Sequence, residues 1–480
     1  ISDYGKEEQK RQISISTSLV PLEWEDVKIN ILDAPGFFDF AGEMEEAASA
    51  ADGAIIVVSG KAGVEVGTEK AWELCEKYKL PRFVFVTDMD IDNASFRQVV
   101  EDMTAKYGKK LAPFHLPIRE NEKFVGYINV ITEQAYRWKG KEVVECEMPE
   151  YSKANLQICR DTLMEAVAET SEEFMERYFN GDSFSEAEIR AALRNNVMDG
   201  SIVPMSMGSN PLGQGIYTLL DDIVKYMPSP ENRKIAGIDL KSNEVFEGDY
   251  DFAKAKSAYI FKTIVDPFIG KYSMIKVCSG VLKTNDTLYN ALQEKEERIG
   301  KLYVLEGGKP IEVPELFAGD IGALAKLEAR TGDTLCTKAK QVLYAKPMLS
   351  VPYTCMRYKV PNKNEVDKAA QALAKIAMED QTIRLVNDSA NRQTLIYGIG
   401  DQQLDIVLSK LKERYKVEIE MVKPKVAFRE TIRKNSDVDA KYKKQSGGHG
   451  QYGHVKMRFA PSGDLDTAFT FTQEVVGGAV

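Results

Sequence analysis

VKINILDAPGFFDFAGEMEEAASAADGAIIVV, residues 27–58, decides how this chain is read. An apolar run at 27–32 breaks at Asp33 into a Pro-Gly turn. A helix-forming stretch at 43–51 follows, and a second apolar run fills 54–58. Working outward, 65–77 has helical spacing and 83–86 is apolar again, bounded by polar turn residues. Strand, helix, strand, helix, strand in this order predicts a parallel, doubly wound sheet. Such sheets bind ligands beyond the carboxyl ends of their strands. Asp33 and the run Thr87-Asp88-Met89-Asp90 fall there, which suits a nucleotide pocket.

The residues beyond 88 divide into further blocks. From about 113 to 200 the sequence reads as a helical, acidic insertion, with Glu165, Glu169, Glu172, Glu173 and Glu176 on one predicted helix and another helix at 185–195. The α/β pattern resumes at 202–205 and 216–226 and stops at Pro228-Ser229-Pro230, a linker signal. Short alternating strands between Gly, Asp and Pro turns over 250–347 predict an antiparallel β-barrel. The order β-α-β-β-α-β over 348–421 predicts a ferredoxin-like domain, with strands at 349–355, 382–386, 394–397 and 416–421 and helices at 364–378 and 401–415. The expected domains are therefore 1–230, with the insertion at about 113–200, then 231–347, 348–421, and a further one beginning at 422 and running to 480.

Composition supports a soluble multidomain chain. At 480 residues it exceeds what one hydrophobic core organises. With 44% hydrophobic and 28% charged residues it has the make-up of a globular protein. No apolar run approaches the roughly 20 residues of a membrane helix. The opening residues are charged and lack a signal-peptide core, so a cytoplasmic location without membrane partners is expected. Six scattered cysteines form no C-x-x-C pair and suggest neither a zinc site nor a disulfide framework. The net charge is -10, yet residues 423–458 hold ten Lys and Arg against three acids, about +7. A basic end on an acidic body points to a local contact with phosphate-bearing partners.

Seven segments, in order, resemble one family: DAPGFFDF (33–40), DPFIGK (266–271), SGVLK (279–283), ERIG (297–300), AGDI (318–321), GIGDQQLDI (398–406) and QSGGHGQYGHV (445–455). Together they resemble bacterial translation elongation factor G over essentially the whole chain. The resemblance implies a multidomain α/β protein. Its parts would be a P-loop-GTPase-like doubly wound sheet with a helical insertion, an antiparallel β-barrel, a ferredoxin-like α+β domain and the start of an elongated α+β domain. It also implies a monomer that binds the ribosome, including ribosomal RNA and tRNA, and uses GTP, GDP and Mg²⁺ during translocation. Nothing in the sequence matches the phosphate loop GxxxxGK[ST]. By the resemblance that loop would precede Ile1 and a fifth domain would follow Val480, so the chain is expected to be a fragment, truncated at both ends, with weak or absent nucleotide binding.

Carried onto this sequence, the family's D-x-P-G places Asp33 near Mg²⁺, and Pro35 and Gly36 at the γ-phosphate. Ser14 stands where a switch-loop threonine would bind the same ion. The family's histidine after that glycine is Phe37 here, which can neither donate nor accept a hydrogen bond, so no catalytic residue is assigned and an apolar gate is expected. The guanine-reading N-K-x-D is replaced by Thr87-Asp88-Met89-Asp90, which keeps only Asp90. Ser209, in Gly208-Ser209-Asn210, is expected to line the base. Gln402 and Gln403 replace an E-L-H run of the family, and His115 reads as an isolated surface or capping residue.

Lys443, Lys444, Ser446, Gly447, Gly448, His449, Gly450, Gln451 and Tyr452 form a glycine-rich basic segment suited to phosphate contact and base stacking. By resemblance this is a tip loop entering the decoding centre, with His449 in place of the family's arginine. Three readings follow. The first is a GTP-coupled translocation factor, and the second a ribosome-binding factor that works without GTPase activity. The third is a ribosome-protection protein of the tetracycline-resistance type.

Overall fold

The computed structural model describes all residues except 141, 267–269, 427, 429–431, 446, 464–468 and 478–480. The chain forms two compact units, residues 1–387 with 394–423, and residues 388–393 with 424–480. Among the described residues no helix is long and apolar enough to cross a membrane.

The parallel sheet of the first unit contains strands Ala54–Ser59, Arg82–Thr87, Val203–Met207 and Leu111–Pro113, side by side in that order. Every residue of Arg82–Thr87 is buried, as an inner strand of a parallel sheet requires, and this explains the uninterrupted run Phe83-Val84-Phe85-Val86. Helices Ala41–Ala50, Val66–Lys77, Phe96–Tyr107 and Ile216–Tyr226 accompany the sheet.

One expected member of this sheet lies elsewhere. Val27–Asp33 pairs antiparallel with Ser18–Trp24, from Trp24 opposite Val27 to Ser18 opposite Asp33. Glu25 and Asp26 turn the chain with φ of 46° and 62°. Two successive left-handed residues give the hairpin turn whose twist matches its strands. Glu-Asp is not the usual Asn-Gly signature, so the hairpin was not legible in the sequence. Among the described residues Val27–Asp33 pairs only with Ser18–Trp24, and Ala54–Ser59 only with Arg82–Thr87. Both line a cavity of about 2360 Å³, and Val57 is 57% exposed although it sits in an apolar strand.

The insertion differs from expectation in its first half. His115–Glu120, Lys123–Asn129, Gln134–Lys139 and Glu142–Cys146 form a four-stranded antiparallel sheet in chain order. Its buried Phe124, Ile128 and Ala135 join the core cluster of the parallel sheet. Helices occupy the second half, and the acidic helix is two: Lys153–Ala168 and Glu172–Asn180. The break comes where Ser171 caps the second helix by accepting from Phe174 N at 3.1 Å. Helix Glu186–Asp199 closes the insertion behind a capping box of Ser185 and Glu188.

The next domain is an eight-stranded antiparallel sheet centred on Ser257–Asp266 and Gly270–Ser279. Ile260, Ile275, Val277, Leu302, Leu324 and Leu335 gather into one of its core clusters. The ferredoxin-like order is present: strands Arg384–Asp388, Gln393–Gly398, Thr354–Lys359 and Glu420–Val422 lie side by side in that sequence, with helices Val366–Glu379 and Asp401–Lys410. The first of these strands in the chain begins at Thr354 rather than near 349, after an extended Pro-containing approach.

Buried charges join these domains. Lys262, on the barrel strand, reaches Glu43 and Glu46 of helix Ala41–Ala50. Lys276 donates to Ala50 O at 2.8 Å and pairs with Asp52. Glu379 accepts from Val265 N at 2.9 Å and pairs with Lys410 and Arg414.

The second unit contains one long antiparallel hairpin, Ser436–Lys444 with Gln451–Phe459, and every residue of both strands is exposed.

Candidate nucleotide site and basic hairpin

Asp33, Pro35 and Gly36 line the large cavity together with Phe37. Asp33 ends its strand, Pro35 is buried in the turn, and Gly36 is exposed. Phe37 is 48% exposed, so it stands at the cavity rather than packed as a closed gate. Ser14 is half-buried and is not among the residues lining this cavity. Among the described residues no three acid, histidine or cysteine side chains cluster as metal ligands. With no such cluster, Asp33 suits an ion that arrives with phosphate oxygens, the usual habit of Mg²⁺, and not an all-protein cage.

A second cluster surrounds Asp90 and Ser209. The strand ending at Thr87 and the strand ending at Met207 are neighbours, so their carboxyl-end loops meet. Met89 N donates to Gly208 O at 3.2 Å, and Met89 itself is fully buried, anchoring the loop from below. Asp88 has φ of 61°, a left-handed conformation that aspartate tolerates, and Asp90 is exposed. Ser209 is fully buried, and its backbone closes on Gln214 through two hydrogen bonds of 2.9 and 3.0 Å. Gly208 must be glycine here: a Cβ would stand 2.3 Å from Gln214 O and 2.6 Å from the Phe85 ring. The Thr87 hydroxyl is buried without a hydrogen-bond partner among the described residues. A buried hydroxyl without a partner costs free energy.

Arg119 was not singled out from the sequence. It stands at the insertion's first sheet and donates to Met89 O at 3.1 Å and Ala94 O at 2.8 Å, clamping the Thr87–Asp90 loop. Burial lowers its pKa from the usual guanidinium range. Tyr151 fixes its backbone, donating to Arg119 O at 3.0 Å and accepting from Arg119 N at 3.1 Å. No local spacing announces contacts that cross some 30 residues. His115 is corrected as well: it is 2% exposed, its Nδ1 lies 3.3 Å from Asp222 Oδ2, and burial drives its pKa down to about 3. It is a neutral core histidine.

Glu8 organises the first segment. One carboxylate oxygen accepts from Ile15 N and Ser16 N, each at 3.1 Å, and the other from Gly5 N at 2.8 Å. Thr17 N then donates to Glu43 at 2.7 Å, fastening the segment to the helix after the Asp33 loop.

The basic hairpin has two chemically distinct faces because side chains alternate. Val438, Ala440 and Tyr442 share one face with Phe459, Met457 and Val455 across the ladder. Asp437, Asp439, Lys441 and Lys443 share the other with Arg458, Lys456, His454 and Tyr452. At the open end charges are paired: Arg458 with Asp437 at 3.0 Å, and Lys456 with Asp439 at 3.5 Å. Towards the turn Lys441, Lys443 and Lys444 have no ion pair among the described residues. Tyr452 stands opposite Lys443, and Gln451 opposite Lys444. Gly447 and Gly448 have φ of 102° and 72°, and with His449 and Gly450 they are exposed in the turn. Ser446 lies outside the described residues.

Comparison with known proteins covers nearly all of this architecture. The family model of the elongation factor Tu GTP binding domain matches residues 1–229. Elongation factor G domain 2 matches 255–338, domain III matches 349–423, and domain IV matches 424–480. A crystal structure of a protein from Thermus thermophilus is 32% identical, with a TM-score of 0.82, over 95% of this chain and 66% of that one. The chain thus spans just under two thirds of that relative's length. With a nucleotide domain and three successive elongation factor G domains in family order, the chain belongs to the elongation factor G family of translational GTPases.

Proposed function

We propose that this chain acts in a ribosome-binding factor that promotes GTP-coupled movement of tRNA and mRNA. The Thr87–Asp90 and Gly208–Asn210 loops, joined at the carboxyl ends of neighbouring parallel strands, carry this reading. Asp90 would accept from the guanine N–H groups, and Ser209 would line the base. Asp33, Pro35 and Gly36, which line the cavity, would face the phosphates and their Mg²⁺. The apolar cavity between two strands with open edges suits an added strand. At the hairpin, Lys443, Lys444, Gly447, Gly448, His449, Gly450, Gln451 and Tyr452 would contact RNA, the lysines by charge and Tyr452 by stacking.

The test is ribosome-stimulated GTP hydrolysis by the complete gene product. Turnover well above the ribosome-free rate supports this reading. Ribosome binding without turnover supports a second reading, a GTPase-independent factor. Phe37 favours the second, because an aromatic hydrocarbon beside Gly36 cannot orient an attacking water. The 480-residue chain by itself should bind a GTP analogue weaker than micromolar in calorimetry, since no glycine-rich phosphate cradle is among its residues.

A further inference from the structure

Helix Asp401–Lys410 of the ferredoxin-like domain begins after Gly400, which has no side chain to cap it. The cap comes from elsewhere in the chain: Gln402 N, the second amide of the helix, donates to Asp39 Oδ2 at 2.8 Å across 363 residues. That is the bond an N-cap aspartate makes locally, supplied here by the loop that carries Asp33, Pro35 and Gly36. Gly400 makes the approach possible, since a Cβ there would stand 2.3 Å from Asp39 Oδ2. Two independent contacts hold the same junction. Arg11 Nη1 donates to the Gln402 side chain at 2.8 Å, and Ile15, Phe40 and Ile406 form a buried apolar cluster with Ile13 against it. Gln403 adds a local bond at the same end, accepting from Ile399 N, one residue before the N-cap position, at 2.7 Å.

We propose that Asp39 is a positioning residue that couples the Asp33–Phe40 loop to the ferredoxin-like domain, by capping helix Asp401–Lys410 in trans. Displacing the loop removes the cap, and displacing the helix removes a partner from the loop, so each end reports on the other. On the guanine-nucleotide reading, what passes along this contact is the state of the phosphate-facing loop. The cap itself does not depend on that reading.

Hydrogen exchange of the full 480-residue chain, without nucleotide, tests it. Asp39→Ala should speed exchange at 399–405 about fivefold or more, the loss of one cap. Asp39→Asn, which keeps an acceptor oxygen, should retain most of the protection. Gly400→Ala alters only the ferredoxin-like side, and it should speed exchange in both 399–405 and 33–40 while leaving the core strand Gln393–Gly398 unchanged. If Gly400→Ala leaves 33–40 at the wild-type rate, the contact is not a coupling and the proposal fails. It fails equally if Asp39→Ala leaves 399–405 protected, or if all three variants loosen the whole domain alike. None of these arms uses GTP, so failure here is distinguishable from failure to bind nucleotide.

Discussion

Lys262 Nζ lies 3.5 Å from Glu46 Oε2 and closer still to Glu43, with all three side chains almost wholly buried. One ammonium thus serves two carboxylates where the nucleotide domain meets the barrel. Burial, with Glu43 adding to it, holds the Glu46 carboxyl well above its ordinary range, although Lys262 opposes the shift. The same acids raise the Lys262 pKa despite its own burial. Removing the ammonium leaves buried acid without compensation, so Lys262→Met should cost about 3–5 kcal/mol. A thermal or urea midpoint within error of wild type would refute this.

Glu46 gives the same junction a pH signature. A carboxyl raised in the folded state stabilises fully below its unfolded pKa, near 4.5, and loses that contribution as pH rises toward the folded value. Glu46→Gln cannot ionise, so its stability relative to wild type should climb from pH 4 to neutrality. Urea midpoints at three pH values measure the difference, and a flat or falling profile would contradict the assignment.

Arg119 satisfies two loop carbonyls at once. Arg119→Ala should destabilise by about 1–3 kcal/mol through those unsatisfied acceptors. It should also speed amide exchange at 87–94 more than in the distant barrel. Equal loosening everywhere would make Arg119 a general structural residue and not a clamp on this loop.

Gly208→Ala should push the Ser209 loop away from Met89, because the added methyl meets backbone and a ring and not a yielding side-chain end. Binding of a fluorescent guanine nucleotide by the complete gene product should weaken at least tenfold. Unchanged affinity would remove Ser209 from the proposed base site.

On the hairpin, Lys441, Lys443 and Lys444 should each contribute about one unit to the slope of ribosome affinity against salt. Lys456→Ala should change it less, since that lysine already faces Asp439. Equal slopes for tip and base variants would argue against an RNA-reading tip.

The order of domains was legible in the sequence because period and punctuation are local. The Asp-x-Pro-Gly turn, the apolar run ending at Thr87 and the β-α-β-β-α-β order each follow from residues that lie close together in the chain. The same local reading misplaced Val27–Asp33, whose apolar pattern suits either a parallel strand or the hairpin it joins. It also read residues 115–146 as part of a helical block. What a side chain meets across long separations only the tertiary structure decided. Lys262 finds Glu43 over 219 residues, Gln402 finds Asp39 over 363, and Arg119 finds Met89 over 30. No spacing rule encodes such pairs, because they exist only once separate cores have formed and packed. The sequence by itself determined the segments whose period and punctuation are local, such as the apolar strand ending at Thr87 and the β-α-β-β-α-β order, and tertiary packing decided strand partners and which charges would be buried together.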